Sequence, residues 1–322
     1  MKTWTLVIAL LCLAAGTAFA DVTNEVVVGA QWDGTTKVTD AAGNDITDSM
    51  EIGNSLFTLQ YSHFFAPLKD DEKPIELHRF YQHPSSISIG ITQKAHFVRD
   101  STNPVLVRET KHLEPMYTLG GDYYFSTGTG LFLNIGGGSG REQTKTAGID
   151  GPQKDIEVSR TEFGVRQYIG PEFLMQLRFQ GETTDTTLAG FSKDTSETGL
   201  LLFGVRGVIR DTLGLAAEIG GGERKDKVSG IDVNYDVSMM TLQGDVYVGR
   251  EYSFGLKIEG ETVKRTTLPE HTVKTGRSTL SFRYWFSEKV GLTLPLYAET
   301  VKGDGSEKTE SSGFGLYGTF RF

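Results

Sequence analysis

The C-terminus carries the feature that most constrains this chain. Counting back from Phe322, one set of alternate positions is Phe322, Phe320, Gly318, Leu316 and Phe314. The interleaved set is Arg321, Thr319, Tyr317, Gly315 and Gly313. A period of two is the signature of a strand with a different environment on each face. The pattern recurs where Leu280, Phe282, Tyr284 and Phe286 alternate with Thr279, Ser281, Arg283 and Trp285, and where Phe254, Leu256 and Ile258 alternate with Gly255, Lys257 and Glu259. One face is apolar enough for lipid and the other is polar or charged.

The N-terminus says where such strands are used. Lys2, an apolar run from Leu6 to Ala15, and Ala18-Phe19-Ala20 read as a secretory signal peptide over residues 1–20, leaving 21–322 as the mature chain. Cys12 is the only cysteine and follows Leu11 inside the apolar run, where a lipoprotein signal would place a small residue. The mature chain therefore has no disulfide and no thiolate. Beyond residue 20 no stretch approaches the roughly 18 apolar residues of a spanning helix. Only helices and closed barrels satisfy every backbone group in lipid, so a membrane location requires a barrel. A formal charge of -9 argues against nucleic-acid binding, which needs a basic surface.

Connections punctuate the strands. Ser126 to Gly130, Gly170-Pro171-Glu172, Arg210-Asp211-Thr212, Arg250-Glu251-Tyr252 and Ser287-Glu288-Lys289 read as short turns. Longer polar connections are expected at 141–155, 186–194, 223–234, 265–274 and 302–308. Short turns on one side and long loops on the other suit an up-and-down transmembrane barrel. The spans 24–33, 51–65, 85–99, 105–125, 131–140, 156–169, 173–185, 196–210, 213–223, 235–249, 254–264, 275–286, 290–301 and 310–322 make an all-β antiparallel barrel of fourteen strands, with twelve or sixteen as the alternatives. Aromatics beside the short turns (Tyr123, Tyr124 and Phe125; Tyr168 and Phe173; Tyr247, Tyr252 and Phe254; Tyr284, Trp285 and Phe286) match an interfacial girdle. Residues 66–84, with three prolines and a helix-compatible stretch from Ile75 to His83, interrupt the pattern on the short-turn side. They are expected to form a small periplasmic element, packed under the barrel mouth or folded partly into it.

With the lipid face fixed by the apolar set, the inward positions include Asp122, Glu162, Arg166, Arg178, Arg206, Glu218, Asp245, Glu259 and Arg283. Basic groups facing lipid at midplane would cost about 2–4 kcal/mol each, whereas a wet interior tolerates them. No constellation for catalysis is present. No serine sits in a Gly-x-Ser-x-Gly context, the six histidines are scattered, and no helix follows Gly136 to Gly140 as a phosphate cradle would need. No metal site or cofactor is implied.

The terminal strand, with Phe322, Phe320, Leu316 and Phe314 on one face, resembles the signal by which the barrel-assembly machinery recognises outer-membrane proteins. With the leader and the hairpin rhythm, the whole mature chain resembles a Gram-negative outer-membrane β-barrel. The stretch from Tyr61 to Ser86 is similar to one in uncharacterised putative porins. This resemblance implies a porin-like channel that sits among outer-membrane lipids and passes ions and small hydrophilic solutes by diffusion. A closed or sheathing barrel with a structural, adhesive or partner-docking role is the alternative. A fatty-acid-type transporter would be expected to carry an N-terminal plug, but here a strand starts at Glu25. No strip of the lipid-facing surface stands out as an oligomer interface.

Overall fold

The computed structural model describes residues 22–69, 72–103, 106–188, 193–267, 269–304 and 307–322; the leader at 1–20 lies outside them. The strands are β1 (Val22–Thr39), β2 (Met50–Leu68), β3 (Ser86–Asp100), β4 (Arg108–Tyr124), β5 (Thr129–Thr146), a two-residue β6 (Ile149–Asp150), β7 (Lys154–Ile169) and β8 (Phe173–Leu188). They continue with β9 (Lys193–Ile209), β10 (Leu213–Val228), β11 (Ile231–Val248), β12 (Tyr252–Arg265), β13 (Thr272–Ser287), β14 (Val290–Lys302) and β15 (Lys308–Arg321). Among the described residues, then, fourteen long strands accompany the short β6. Each long strand pairs antiparallel with the next, and β1 pairs with β15, so the sheet closes on itself.

The seam is held at both chain ends. Glu25 stands opposite Arg321 and Trp32 opposite Phe314. The Thr23 and Asn24 amides donate to the Phe322 carbonyl at 3.1 and 2.8 Å, and the Phe322 amide donates back to Asn24 at 3.0 Å. No strand edge is left for lipid to meet.

Alternation sorts the two faces as the sequence demands. Outward side chains form rows across neighbouring strands, such as Leu177, Phe203, Ile219 and Met240, or Leu256, Leu280, Leu296 and Phe314, all of them exposed on the outer wall. Long strands of 13 to 19 residues exceed the roughly 9–11 that a tilted strand needs to cross lipid, so the barrel projects beyond the apolar belt.

That projection corrects the expected loops. The connection expected at 223–234 is a continuation of β10 and β11 joined by a two-residue turn. Ser229 and Gly230 both take positive φ (51° and 83°), as a type I′ hairpin requires. The connection expected at 141–155 is likewise strand through Thr146, turning at Ala147 and Gly148. The asymmetry between the two ends is therefore mostly one of strand length, because polar residues on both faces are compatible with a hairpin standing in water.

The expected girdle is corrected as well. Tyr123, Phe125, Phe173, Tyr252, Phe254 and Phe286 face outward, but Tyr168, Tyr247 and Trp285 are buried inside, and Tyr124 packs beside Tyr168. Neighbours along a strand must take opposite faces, so Tyr123 and Tyr124 cannot share the girdle.

The two faces yield a paired test. Met240 lies on the outer wall beside Ile219, whereas the next residue, Thr241, faces inward between Glu218 and Glu259. Met240→Lys is expected to lower the unfolding free energy of the vesicle-inserted barrel by about 2–4 kcal/mol and Thr241→Lys to change it little. Denaturant titration of both variants checks this.

Candidate functional site: a plugged, charged lumen

Between β2 and β3 the chain enters the barrel mouth at the short-turn end. A 3-10 turn (Ile75–Leu77) runs into a short helix α1 (His78–Gln82), and His83 ends it in the left-handed region (φ 46°) with its amide bonded to the Arg79 carbonyl. Pro74 fixes the entry and Pro84 prevents the helix from continuing. Of the two placements expected for 66–84, the one folded into the mouth is observed.

Apolar burial seats this segment. Leu77 and Phe80 pack with Tyr168, Leu174, Val208 and Tyr247 from β7, β8, β9 and β11, and Leu77 is wholly buried. Ion pairs spread around the wall reinforce the seat. Glu76 meets Arg283 at 2.8 Å, and its other oxygen accepts from Ser253 at 2.5 Å. Arg79 meets Glu25 at 3.0 Å, and Arg321 donates to the Ile75 carbonyl at 3.2 Å while pairing with Glu25 at 2.9 Å. On the far side Tyr81 donates to Asp211 at 2.5 Å. A segment that reaches β1, β15, β13, β12 and the β9–β10 turn crosses the mouth from wall to wall.

Above it lies a cavity of about 670 Å3, within the range of small-molecule sites. Glu76, Arg79, Phe80 and Pro84 of the inserted segment form its floor. The strand register places the walls. One row runs Tyr168, Leu174, Arg206, Ala216, Gln243 and Lys257. The next row runs Arg166, Gln176, Gly204, Glu218, Thr241, Glu259 and Arg277.

All nine residues expected inward project into the barrel, and most are paired there. Arg166 meets Asp122 at 2.5 Å, and Arg178 bridges Glu162 at 3.1 Å and Glu218 at 2.5 Å. Arg283 joins Asp245 at 2.9 Å to the Glu76 contact, and Lys257 meets Glu259 at 2.5 Å. Arg206 differs. Its guanidinium lies 4.9 Å above the Phe80 ring and has no carboxylate partner among the described residues.

Farther from the plug the wall turns apolar. Leu200, Leu202 and Val237 cluster with Met239 and Val263. They lie across Gly220 and Gly222, where an added Cβ would meet the Leu201 and Gly199 carbonyl oxygens at 2.2 and 1.8 Å. Glycine there lets adjacent backbones approach and gives the leucines room.

Sequence reasoning missed Glu25, Glu76, Arg79 and Arg321, which tie the segment to the seam. The inward parity of Glu25 and Arg321 was readable, but Glu76 and Arg79 lie off the strands, and the partnership depends on where the inserted segment comes to rest. No helix among the described residues is long and apolar enough to cross a membrane, and no group of three or more metal-ligating side chains there has metal-binding geometry.

No protein-family model and no curated protein matches this sequence. Solved structures do match by fold. The Pseudomonas putida toluene transporter TodX aligns with a TM-score of 0.56 at 8% identity, over 96% of this chain and 90% of that one. A Pseudomonas aeruginosa FadL homologue gives 0.55 at 9% identity, over 94% and 91%. The monoaromatic hydrocarbon channel CymD gives 0.50 at 10% identity, over 97% and 92%. The fold is that of the Gram-negative outer-membrane β-barrels.

One imidazole in the seat is shifted by its burial. His83 stacks on Tyr168, and its Nε2 is buried without a hydrogen-bond partner. Burial holds the imidazole below its ordinary value of 6.5, a backbone hydrogen bond opposing the shift only in part. A depressed base binds fewer protons seated than released. Seating is therefore at full strength above pH 6.5 and weakens as pH falls from there towards the lowered value. Limited proteolysis of the segment is expected to accelerate between about pH 7 and pH 5 in the parent protein. His83→Asn, which tolerates the left-handed backbone but carries no charge, is expected to flatten that dependence.

Proposed function

We propose that this protein is an outer-membrane solute channel whose turn-end mouth is held shut by the segment between β2 and β3. The observation that carries the reading is the unfilled, charged cavity resting on an inserted segment rather than on the wall. Barrels of about eight strands are filled by their own side chains, whereas wider ones leave space. A wall meant only as scaffold has no need to hold charged side chains around a void. The transport roles named for TodX and CymD, which share the fold, agree with this reading.

Ions and small solutes pass by diffusion once the segment leaves its seat. The lumen is not uniformly hydrophilic, because Leu200, Leu202 and Met239 give one wall an apolar stretch. Asp122 with Arg166 and Glu259 with Lys257 line the passage as neutralised pairs, while Glu162 and Glu218 share the one guanidinium of Arg178. The continuous seat of the inserted segment favours one other reading, a permanently closed barrel with a structural or docking role.

Planar-bilayer conductance separates the two. Phe64 pairs with Ser86, so the ends of β2 and β3 are close enough for a short Gly-Ser linker to replace residues 69–83. The linker variant is expected to show stable open steps and the parent protein brief or rare ones. Silence from both, in preparations shown to be folded barrels, overturns the channel and leaves the closed barrel.

Biogenesis follows from the terminal strand. We assign Phe322, Phe320, Leu316 and Phe314 the role of the signal read by the barrel-assembly machinery. Deleting Phe322 is expected to lower the assembled fraction severalfold in an assembly assay using purified machinery. Unchanged assembly would remove that role.

A further inference from the structure

Among the described residues lining the cavity, Arg206 is the guanidinium that no carboxylate meets at ion-pair distance. Glu218, the carboxylate nearest to Arg206 by register, already accepts from Arg178 at 2.5 Å and from Gln176 at 2.9 Å. The cross-strand neighbours of Arg206 are Leu174 and Ala216, which offer no charge. Its guanidinium faces the cavity beside the Phe80 ring. A guanidinium without a carboxylate partner in a confined space is a fork-shaped donor set for a planar anion. Phe80, Leu174 and Tyr168 pack together near it, and Met239 lines the same cavity farther along the wall.

We infer that this cavity binds a small organic anion with an apolar body, a carboxylate of monoaromatic or short-chain type, its anionic group on Arg206. The inference rests on the channel reading above and names the solute class of that same lumen. Two features of the wall support it. Gln243 in the same row and Gln176 in the next also line the cavity, each with a second amide hydrogen beyond the one given to Asp245 or Glu218. An apolar body would lie against the aromatic floor, displacing water from surface that gains by losing it. A neutral sugar would leave the guanidinium unmatched, and an organic cation would be repelled by it.

Calorimetric titration of the refolded, heat-modifiable barrel tests the site with benzoate, benzyl alcohol and benzylamine as probes. Benzoate is expected to bind more tightly than benzyl alcohol, which has the same ring without the charge, and benzylamine is expected not to bind. Arg206→Gln is expected to weaken benzoate about tenfold or more and leave benzyl alcohol unchanged, since a charge-assisted hydrogen bond is lost. Arg206→Lys, which keeps the charge, is expected to fall between and to guard against loss through altered packing on Phe80. Equal benzoate affinity in the parent and Arg206→Gln, or benzoate binding no better than benzyl alcohol, overturns the site. The two readings fail separately. Arg206-dependent benzoate binding by a barrel whose linker variant conducts nothing overturns the channel and keeps the site. A conducting barrel indifferent to the charge of the ring overturns the site and keeps the channel.

Discussion

Everything in this molecule follows from the cost of an unpaired peptide group in hydrocarbon, several kcal/mol for each N–H or C=O left without a partner. A sheet whose faces alternate between lipid and water can meet that demand only by closing, so the first strand must find the last. Residues nearly three hundred positions apart do this here, Glu25 against Arg321 and Asn24 against Phe322. Closure then divides the side chains. The outer set packs in rows suited to acyl chains, and the inner set is confined to a space shared with the inserted segment.

Inside, a second constraint takes over. Charges in a confined lumen are poorly screened and need partners, and the strand register supplies them two rows at a time. Arg178 between Glu162 and Glu218 is the clearest case, a guanidinium on β8 shared by carboxylates from β7 and β10. Glycines at 220 and 222 leave room for leucines instead, so polarity varies around the wall. Arg206 stands where the charged rows give way to Leu174 and Ala216, which is why its charge has no local answer.

How much of this could be read in the sequence depends on distance along the chain. Strand faces are local, and alternation around Leu256 or Leu316 assigned them without ambiguity. The inward parity of Arg166, Arg178 and Asp245 was legible for the same reason. The aromatic girdle was misread because proximity to a turn was allowed to outweigh parity; Tyr168 and Tyr247 alternate with lipid-facing neighbours and belong inside. The polar stretch at 223–234 was misread because a hairpin in water and a loop in water share a composition, and only Ser229-Gly230 marks the difference. The seat of residues 74–84 was not readable, since Glu76 finds Arg283 and Arg79 finds Glu25 through contacts that no local pattern encodes.

The arrangement of those contacts bears on how firmly the mouth is shut. Glu25 holds two guanidinium groups, Arg79 from the inserted segment and Arg321 from the wall. Asp245 keeps Arg283 whether or not Glu76 is present. In each cluster the wall contributes a complete ion pair and the segment adds a third member. Withdrawing the segment therefore strands no buried wall charge, and so avoids the large penalty that breaking a buried pair carries. Arg79 and Glu76 are partly exposed even when seated, and such pairs are worth about 0–1 kcal/mol each. What remains is the burial of Ile75, Leu77 and Phe80, about 1.5–3 kcal/mol for each side chain. The ion pairs fix where the segment sits, and three apolar side chains set most of how tightly it stays.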